Sequence, residues 1–195
     1  MNPTTKDQLN TLAQHMLDGG VGLALKNESN ATHLVMGTGN YDADVVFIGE
    51  APGEEEDLQG KPFVGAAGKL INTVFQERGM MRDDFYITNI VKYRPPENRD
   101  PTAQEIAEFV PFLEEELGIV RPRLLVTFGR ISLGHFIPEA KIKEIHGQLQ
   151  QVKLGAMVLP LMPLLHPSSL RFIKNGRQIF RDDFRLLQEE IDRLV

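Results

Sequence analysis

The chain of 195 residues contains no cysteine. That excludes disulfides, cysteine nucleophiles and every thiolate-bound metal centre. Its five histidines, His15, His33, His135, His146 and His166, form no HxxxH or HxH pair. Their spacing therefore supports no zinc site. No apolar run approaches the roughly 20 residues needed to span a bilayer. Met1 to Asp18 lacks the basic start and long apolar stretch of a secretory signal. Its polar residues, set between Leu9, Leu12, Met16 and Leu17, read as a helix instead. A cytoplasmic protein without a membrane partner is the expectation. Internal repeats, low-complexity tracts and linkers are also missing, so residues 1–195 read as one domain.

Positive charge is scarce overall, with a formal net charge of −6, but it is unevenly placed. Residues 1–120 hold 9 Lys and Arg against 20 Asp and Glu, a balance of −11. Residues 121–195 hold 12 against 7, a balance of +5. A nucleic-acid contact needs a local positive field more than a positive total, and the C-terminal third can supply one. An uneven surface with no such role would give the same numbers.

Four short runs, Asp44–Ile48, Phe85–Val91, Leu124–Phe128 and Met157–Leu165, are β-branched or continuously apolar. Strands covered on both faces have this character. Gly65–Arg78, Thr102–Leu117, Ile131–Phe136 and Gln178–Leu194 read as helices between and after them. Thr102 with Glu105 makes a capping box. The alternation predicts a three-layer α/β/α fold around a central four-stranded parallel sheet. Ligands of such sheets bind beyond the C-terminal strand ends. The segments to inspect are then Gly49–Asp57, Asn89–Arg99, Gly129–Ile131 and His166–Phe172.

The first of these, Gly49-Glu50-Ala51-Pro52-Gly53, is a tight turn suited to close backbone approach, followed by the carboxylates Glu54 to Asp57. A phosphate cradle would not carry that charge, and the P-loop Lys-Ser/Thr pair is missing. An acidic helix N-terminus accounts for part of the run. It does not account for Glu50 at the strand end. In Lys61–Gly68, Phe63 is either the flat wall of a pocket or ordinary core. Asn89, inside an apolar run, needs partners or costs about 1–3 kcal/mol. Its amide offers the donor and acceptor that reading a nucleobase edge requires. His166-Pro167-Ser168-Ser169-Leu170-Arg171 sets a histidine beside phosphate-contacting residue types and an apolar wedge.

GEAPGEEED, GKPFVGAAGKL, ITNIVKYRPPENRDPT and HPSSLRF, in this order, resemble the motifs of family-four uracil-DNA glycosylases. The resemblance runs from about Asp44 to the C-terminus. It implies removal of uracil from single- or double-stranded DNA by a monomer, with no metal in the chemical step. Gly49, Glu50, Ala51 and Gly53 would line the uracil pocket. Phe63 would stack on the flipped base, and Asn89 would read its Watson–Crick edge. His166 would face uracil O2, and Glu56 would guard the C5 side with Asn98 as its partner. Glu50, Asn89 and His166 are the catalytic candidates; Ser168, Ser169, Leu170 and Arg171 are the DNA-binding ones. The chemistry calls for the same types: an oxocarbenium-like sugar and an anionic leaving base form together as the glycosidic bond breaks, so a carboxylate and a donor are needed close by. Flipping the base calls for an aromatic receiver and a wedge.

The resembling enzymes hold a four-iron, four-sulfur cluster on four cysteines. Here Tyr93 and Phe109 occupy two ligand positions, and the N-terminal pair falls near Gly19–Gly22. The expectation is no cofactor, with aromatic packing in place of the cluster. A basic insertion carrying a sugar-bonding histidine, found in the uracil-crosslinking branch, is missing between Asn98 and Pro101. His146 lies after the third run and reads as a loop residue near DNA. Two other functions fit the same motifs: a glycosylase for hypoxanthine or xanthine, and a non-catalytic uracil- or DNA-binding homologue.

Overall fold

A computed structural model describes residues 3–155 and 157–194. Helix α1 (Thr5–Asp18) opens with a Thr4–Asp7 capping box, and α2 (Leu23–Ser29) follows. Strands β1 (Thr38–Gly39) and β2 (Val45–Gly49) lead to α3 (Glu54–Gln59) and α4 (Ala66–Glu77). Next come β3 (Tyr86–Asn89), α5 (Ala103–Val120), β4 (Leu124–Phe128), α6 (Gly129–Phe136) and α7 (Ile142–Ile145). The chain closes with β5 (Gln150–Leu154), β6 (Met157–Leu164) and α8 (Gly176–Asp192).

The strand order is β1-β3-β2-β4-β6-β5. The central four, β3, β2, β4 and β6, are parallel, as their two-sided apolar character predicts. The edges β1 and β5 run antiparallel and were not expected from the sequence. β1 is two residues long, and β5 alternates exposed and buried positions, so neither makes an apolar run. The expected Phe85–Val91 strand is shorter: it ends at Asn89, and Ile90 and Val91 instead donate to the carbonyls of Gly49 and Glu50.

Successive residues of β2 face opposite sides. Val46 and Ile48 join Leu9, Met16, Phe109, Leu113 and Leu117 on the side of α1 and α5. Val45 and Phe47 join Ile71, Phe75, Phe180, Phe184 and Leu187 on the side of α4 and α8. Phe47 has four aromatic neighbours, Phe75, Phe85 and Phe128 with centroids 5.2–5.5 Å away and Phe184 at 6.4 Å. These are the layers of an α/β/α sandwich. Thr102 caps α5 as its sequence predicts, with Glu105 N–H donating to Thr102 Oγ1 at 3.2 Å and Thr102 N–H to Glu105 Oε2 at 2.7 Å.

The chain leaves β2 for β3 on one side, then crosses back to place β4 on the other. That reversal opens a crevice at the C-terminal ends of β2 and β4, where such sheets bind ligands.

Candidate active site

A cavity of about 710 Å3 occupies this crevice. Glu50 and Ala51 enter it from the end of β2, Asn89 from β3, Arg130 from the start of α6 and His166 from the turn after β6. Pro52, Gly53, Glu56 and Phe63 complete one wall. The strand-end segments thus converge as the topology predicts.

Two glycines shape that wall. Gly49 pairs with Asn89 in the parallel register, and a Cβ on it would stand 2.2 Å from Asn89 Oδ1 and 2.4 Å from Phe63 Cζ. Its missing side chain is the room in which amide and ring meet. A Cβ on Gly68 would lie 1.8 Å from the carbonyl oxygen of Phe63. Phe63 itself takes a left-handed φ of 53°, uncommon for an aromatic residue. Arg82 holds it there: Nη2 donates to Pro62 O at 2.7 Å, and Nη1 to Phe63 O at 3.1 Å and Asn72 Oδ1 at 3.0 Å. Arg82 lies 19 residues beyond Phe63, and no local pattern marks it.

Asn89 is 2 % exposed, and its side-chain oxygen has no hydrogen-bond partner. A buried amide in that state costs about 1–3 kcal/mol, which a bound ligand would recover.

His166 caps the turn that follows β6. Its Nδ1 accepts from the Ser168 N–H at 3.3 Å and lies 2.7 Å from Ser168 Oγ. Burial pushes its pKa down to about 4, against the opposing pull of Glu56. The ring is neutral near pH 7, with Nδ1 an acceptor and the proton on Nε2 as a free donor. A Cβ added to Gly129 would come within 2.9 Å of the His166 Cβ, so the start of α6 packs directly on this residue.

Burial also raises the Glu50 carboxyl to about 7; Asp100 adds to this, and Arg130 opposes it. Asp100 and Arg130 form an ion pair at the cavity edge. Asp100 lies within the ITNIVKYRPPENRDPT motif but had no role assigned to it, and Arg130 lies outside every motif. Asp100 lies one residue past the segment that follows β3, and Arg130 lies inside the one that follows β4; position relative to the strand end was the one signal for Arg130.

Two expected assignments change, and a third keeps its place. Glu56 does line the cavity, but its carboxylate is spent on the backbone. Oε1 accepts from Val64 N–H (2.9 Å) and Gly65 N–H (2.8 Å), and Oε2 from Gly53 N–H (3.2 Å). Asn98 is not its partner: Asn98 Oδ1 accepts from Arg94 Nε at 2.8 Å, inside a turn where Glu97 and Asn98 both have positive φ. Leu170, expected as a wedge, is 3 % exposed and belongs to the core, whereas Phe172 is 77 % exposed and lines the cavity. The helical turn over Pro167–Phe172 rotates residue 170 inward and residue 172 outward.

Ser168 and Ser169 hold His166, since Ser169 Oγ donates to its carbonyl at 2.7 Å. Arg171 is exposed, with its guanidinium 4.6 Å from the Phe172 ring centroid. His146 bonds the buried Asp183 of α8, Nδ1 to Oδ2, at 2.8 Å.

The positions implied for cluster ligands do meet in space. The Tyr93 and Phe109 rings pack edge-on at 6.2 Å, and Gly22 sits against both. A Cβ there would lie 2.2 Å from Phe109 Cζ and 2.9 Å from Tyr93 Cδ2. Rings fill the space, and the chain has no thiolate, so the residues present do not fit an iron–sulfur cluster. Among the described residues, no group of three or more His, Asp or Glu is arranged to hold a metal, and no helix is long and apolar enough to cross a membrane.

Residues 36–188 match the model of the uracil DNA glycosylase superfamily. The chain is 39% identical over 166 residues to a type-4 uracil-DNA glycosylase of Thermotoga maritima, covering 84% of this chain and 82% of that one. It is 38% identical over 164 residues to the type-4 enzyme of Sulfurisphaera tokodaii (81% and 74% covered) and 36% over 163 to that of Archaeoglobus fulgidus (81% and 82%). The chain belongs to the uracil-DNA glycosylase superfamily.

Proposed function

We propose that this protein is a DNA-repair glycosylase that hydrolyses the N-glycosidic bond of uracil in DNA and leaves an abasic site. The observation that carries the reading is the unpartnered, buried Asn89 amide, set beside Phe63 and in one cavity with a neutral His166. A flipped uracil stacks on Phe63 and satisfies Asn89 through N3–H and O4. As the C1′–N1 bond breaks, the pair of electrons goes to the base. The His166 Nε2–H donates to O2, where that charge collects. Glu50, ionised, faces the sugar cation or the water that adds to it. Ala51 and Gly53 shape the pocket around the base.

Arg171 contacts phosphate, and Phe172 takes the wedge role, unstacking the duplex beside the extruded nucleotide. The protein works on uracil in single- or double-stranded DNA as a cytoplasmic monomer, and residues 1–195 act as one domain. It works without an iron–sulfur cluster or other metal, the Tyr93–Phe109–Gly22 packing standing in for it.

Oligonucleotides carrying uracil, hypoxanthine or xanthine, incubated with the protein and treated with alkali, test this. Strand breaks at uracil are the expected result. Breaks at the purines alone would replace uracil as the substrate, and binding without any break would make this a non-catalytic homologue.

A further inference from the structure

Behind the base pocket lies an ion pair that the chemistry above does not use. The side chains of Lys92 and Glu116 are both 0% exposed and meet at 2.5 Å. Lys92 Nζ also donates to Thr88 Oγ1 at 2.7 Å and to the carbonyl oxygen of Asn89 at 2.7 Å, so its three N–H bonds have three acceptors. Glu116 Oε1 accepts from the Tyr86 hydroxyl at 2.8 Å and from Gly37 N–H at 3.2 Å, with Thr88 Oγ1 3.1 Å away. A buried pair of this kind is a poor source of stability, since desolvation offsets much of its attraction. Its effect here is geometric. Asn89 is the last residue of β3, and its carbonyl is tied to the ammonium where the strand ends. The same peptide sets the direction in which the side-chain amide enters the cavity.

We propose that Lys92 and Glu116 are positioning residues for Asn89: the buried pair, anchored on α5, fixes the end of β3 so that the amide meets the base edge. The proposal rests on the reading of Asn89 as the base reader. The pair ties together the same two stretches, after β3 and along α5, that carry Tyr93 and Phe109. It supplies a rigid link between them from polar side chains alone.

The test uses the full chain and four proteins: the parent, Asn89→Ala, Lys92→Met/Glu116→Gln, and Thr88→Val. The double variant removes both charges at similar volume, and Thr88→Val removes one acceptor of the ammonium. Melting temperature, affinity for duplex carrying an uncleavable abasic analogue, inhibition by free uracil and single-turnover excision are measured for each. The double variant is expected to hold abasic DNA as the parent does but to excise uracil about 10- to 100-fold more slowly, the size of a sub-ångström to 1 Å misplacement. Free uracil should inhibit it correspondingly less. Thr88→Val should move both readouts the same way by a smaller factor. A merely structural role would lower the melting temperature and leave both readouts parental in the folded protein, which would overturn the proposal. If the double variant does not fold, parental rate and uracil inhibition in Thr88→Val overturn it. If Asn89→Ala is inactive while the others are parental, positioning alone fails. If Asn89→Ala is itself parental, the reading of Asn89 fails and takes the positioning role with it.

Discussion

Gly49 and Asn89 lie side by side in the register of β2 and β3, so close that a Cβ on Gly49 would stand 2.2 Å from Asn89 Oδ1. Gly49→Ala must push the amide or the Phe63 ring aside, because neither can share that space. Excision of uracil is expected to fall about 100-fold, as for other misplacements at a reacting centre. Affinity for abasic DNA should stay within a factor of a few. Single-turnover rates check this, and a parental rate would show that the base sits elsewhere.

Leu170 and Phe172 separate a core position from an exposed one at the cavity within three residues. Leu170→Ala should destabilise the fold by about 2–5 kcal/mol, the cost of a large-to-small change in a packed core. Phe172→Ala should change stability by less than about 0.5 kcal/mol, as exposed substitutions do. Its effect belongs to duplex substrates, where unstacking must be driven, and excision from single strands should be nearly parental. Denaturant melts and a comparison of the two substrates decide the matter; equal losses on both would remove Phe172 as the wedge.

The Glu50 carboxyl, held at about 7 by burial and by Asp100, places a titration inside the working range. Excision requiring its ionised form should rise with pH through about 7 and level off above. Asp100→Asn removes a like charge and frees Arg130, so the rise should move to lower pH. His166, already neutral above about 4, should add no step between pH 5 and 8. Stability follows opposite signs for the two groups. Glu50 has its pKa raised on folding, so its contribution is present below 4.5 and lost as pH rises through about 7. The depressed His166 contributes above 6.5, and that contribution is lost as pH falls towards 4. Glu50→Gln should therefore melt higher relative to the parent at pH 8 than at pH 5. A pH-independent parental rate would contradict the assignment of Glu50.

With Tyr93, Phe109 and Gly22 packed where cluster ligands are implied, the purified protein should be colourless and free of stoichiometric iron. Chelators should change neither its melting temperature nor its excision rate. Elemental analysis and visible absorption check this directly, and bound iron with a charge-transfer band would refute it.

The parallel core was legible because β2, β4 and β6 are short and apolar on both faces, the pattern of strands sandwiched between helices. That Glu50, Asn89 and His166 line the cavity was legible for a related reason: each is a polar residue at a strand end, where this topology puts ligands. β1 and β5 were not, since an edge strand has one covered face and needs no continuous apolar run. Arg82 was hidden because its bonds to Pro62 and Phe63 cross 19 or more residues. Leu170 was misplaced because composition names an apolar tip without telling which way a helical turn rotates it. The Lys92–Glu116 pair, 24 residues apart, looks in sequence like two ordinary surface charges.

In the proposed function, the buried amide of Asn89 reads uracil. An amide can donate to O4 and accept from N3–H, while cytosine presents the reverse at those atoms, and a mismatched edge leaves both partners unpaired. Single-turnover excision from uracil-containing DNA by Asn89→Ala is the most direct test. The expected result is a loss of about 100- to 1,000-fold with abasic-DNA affinity retained, the size of removing one essential site donor. Excision at the parental rate would contradict it.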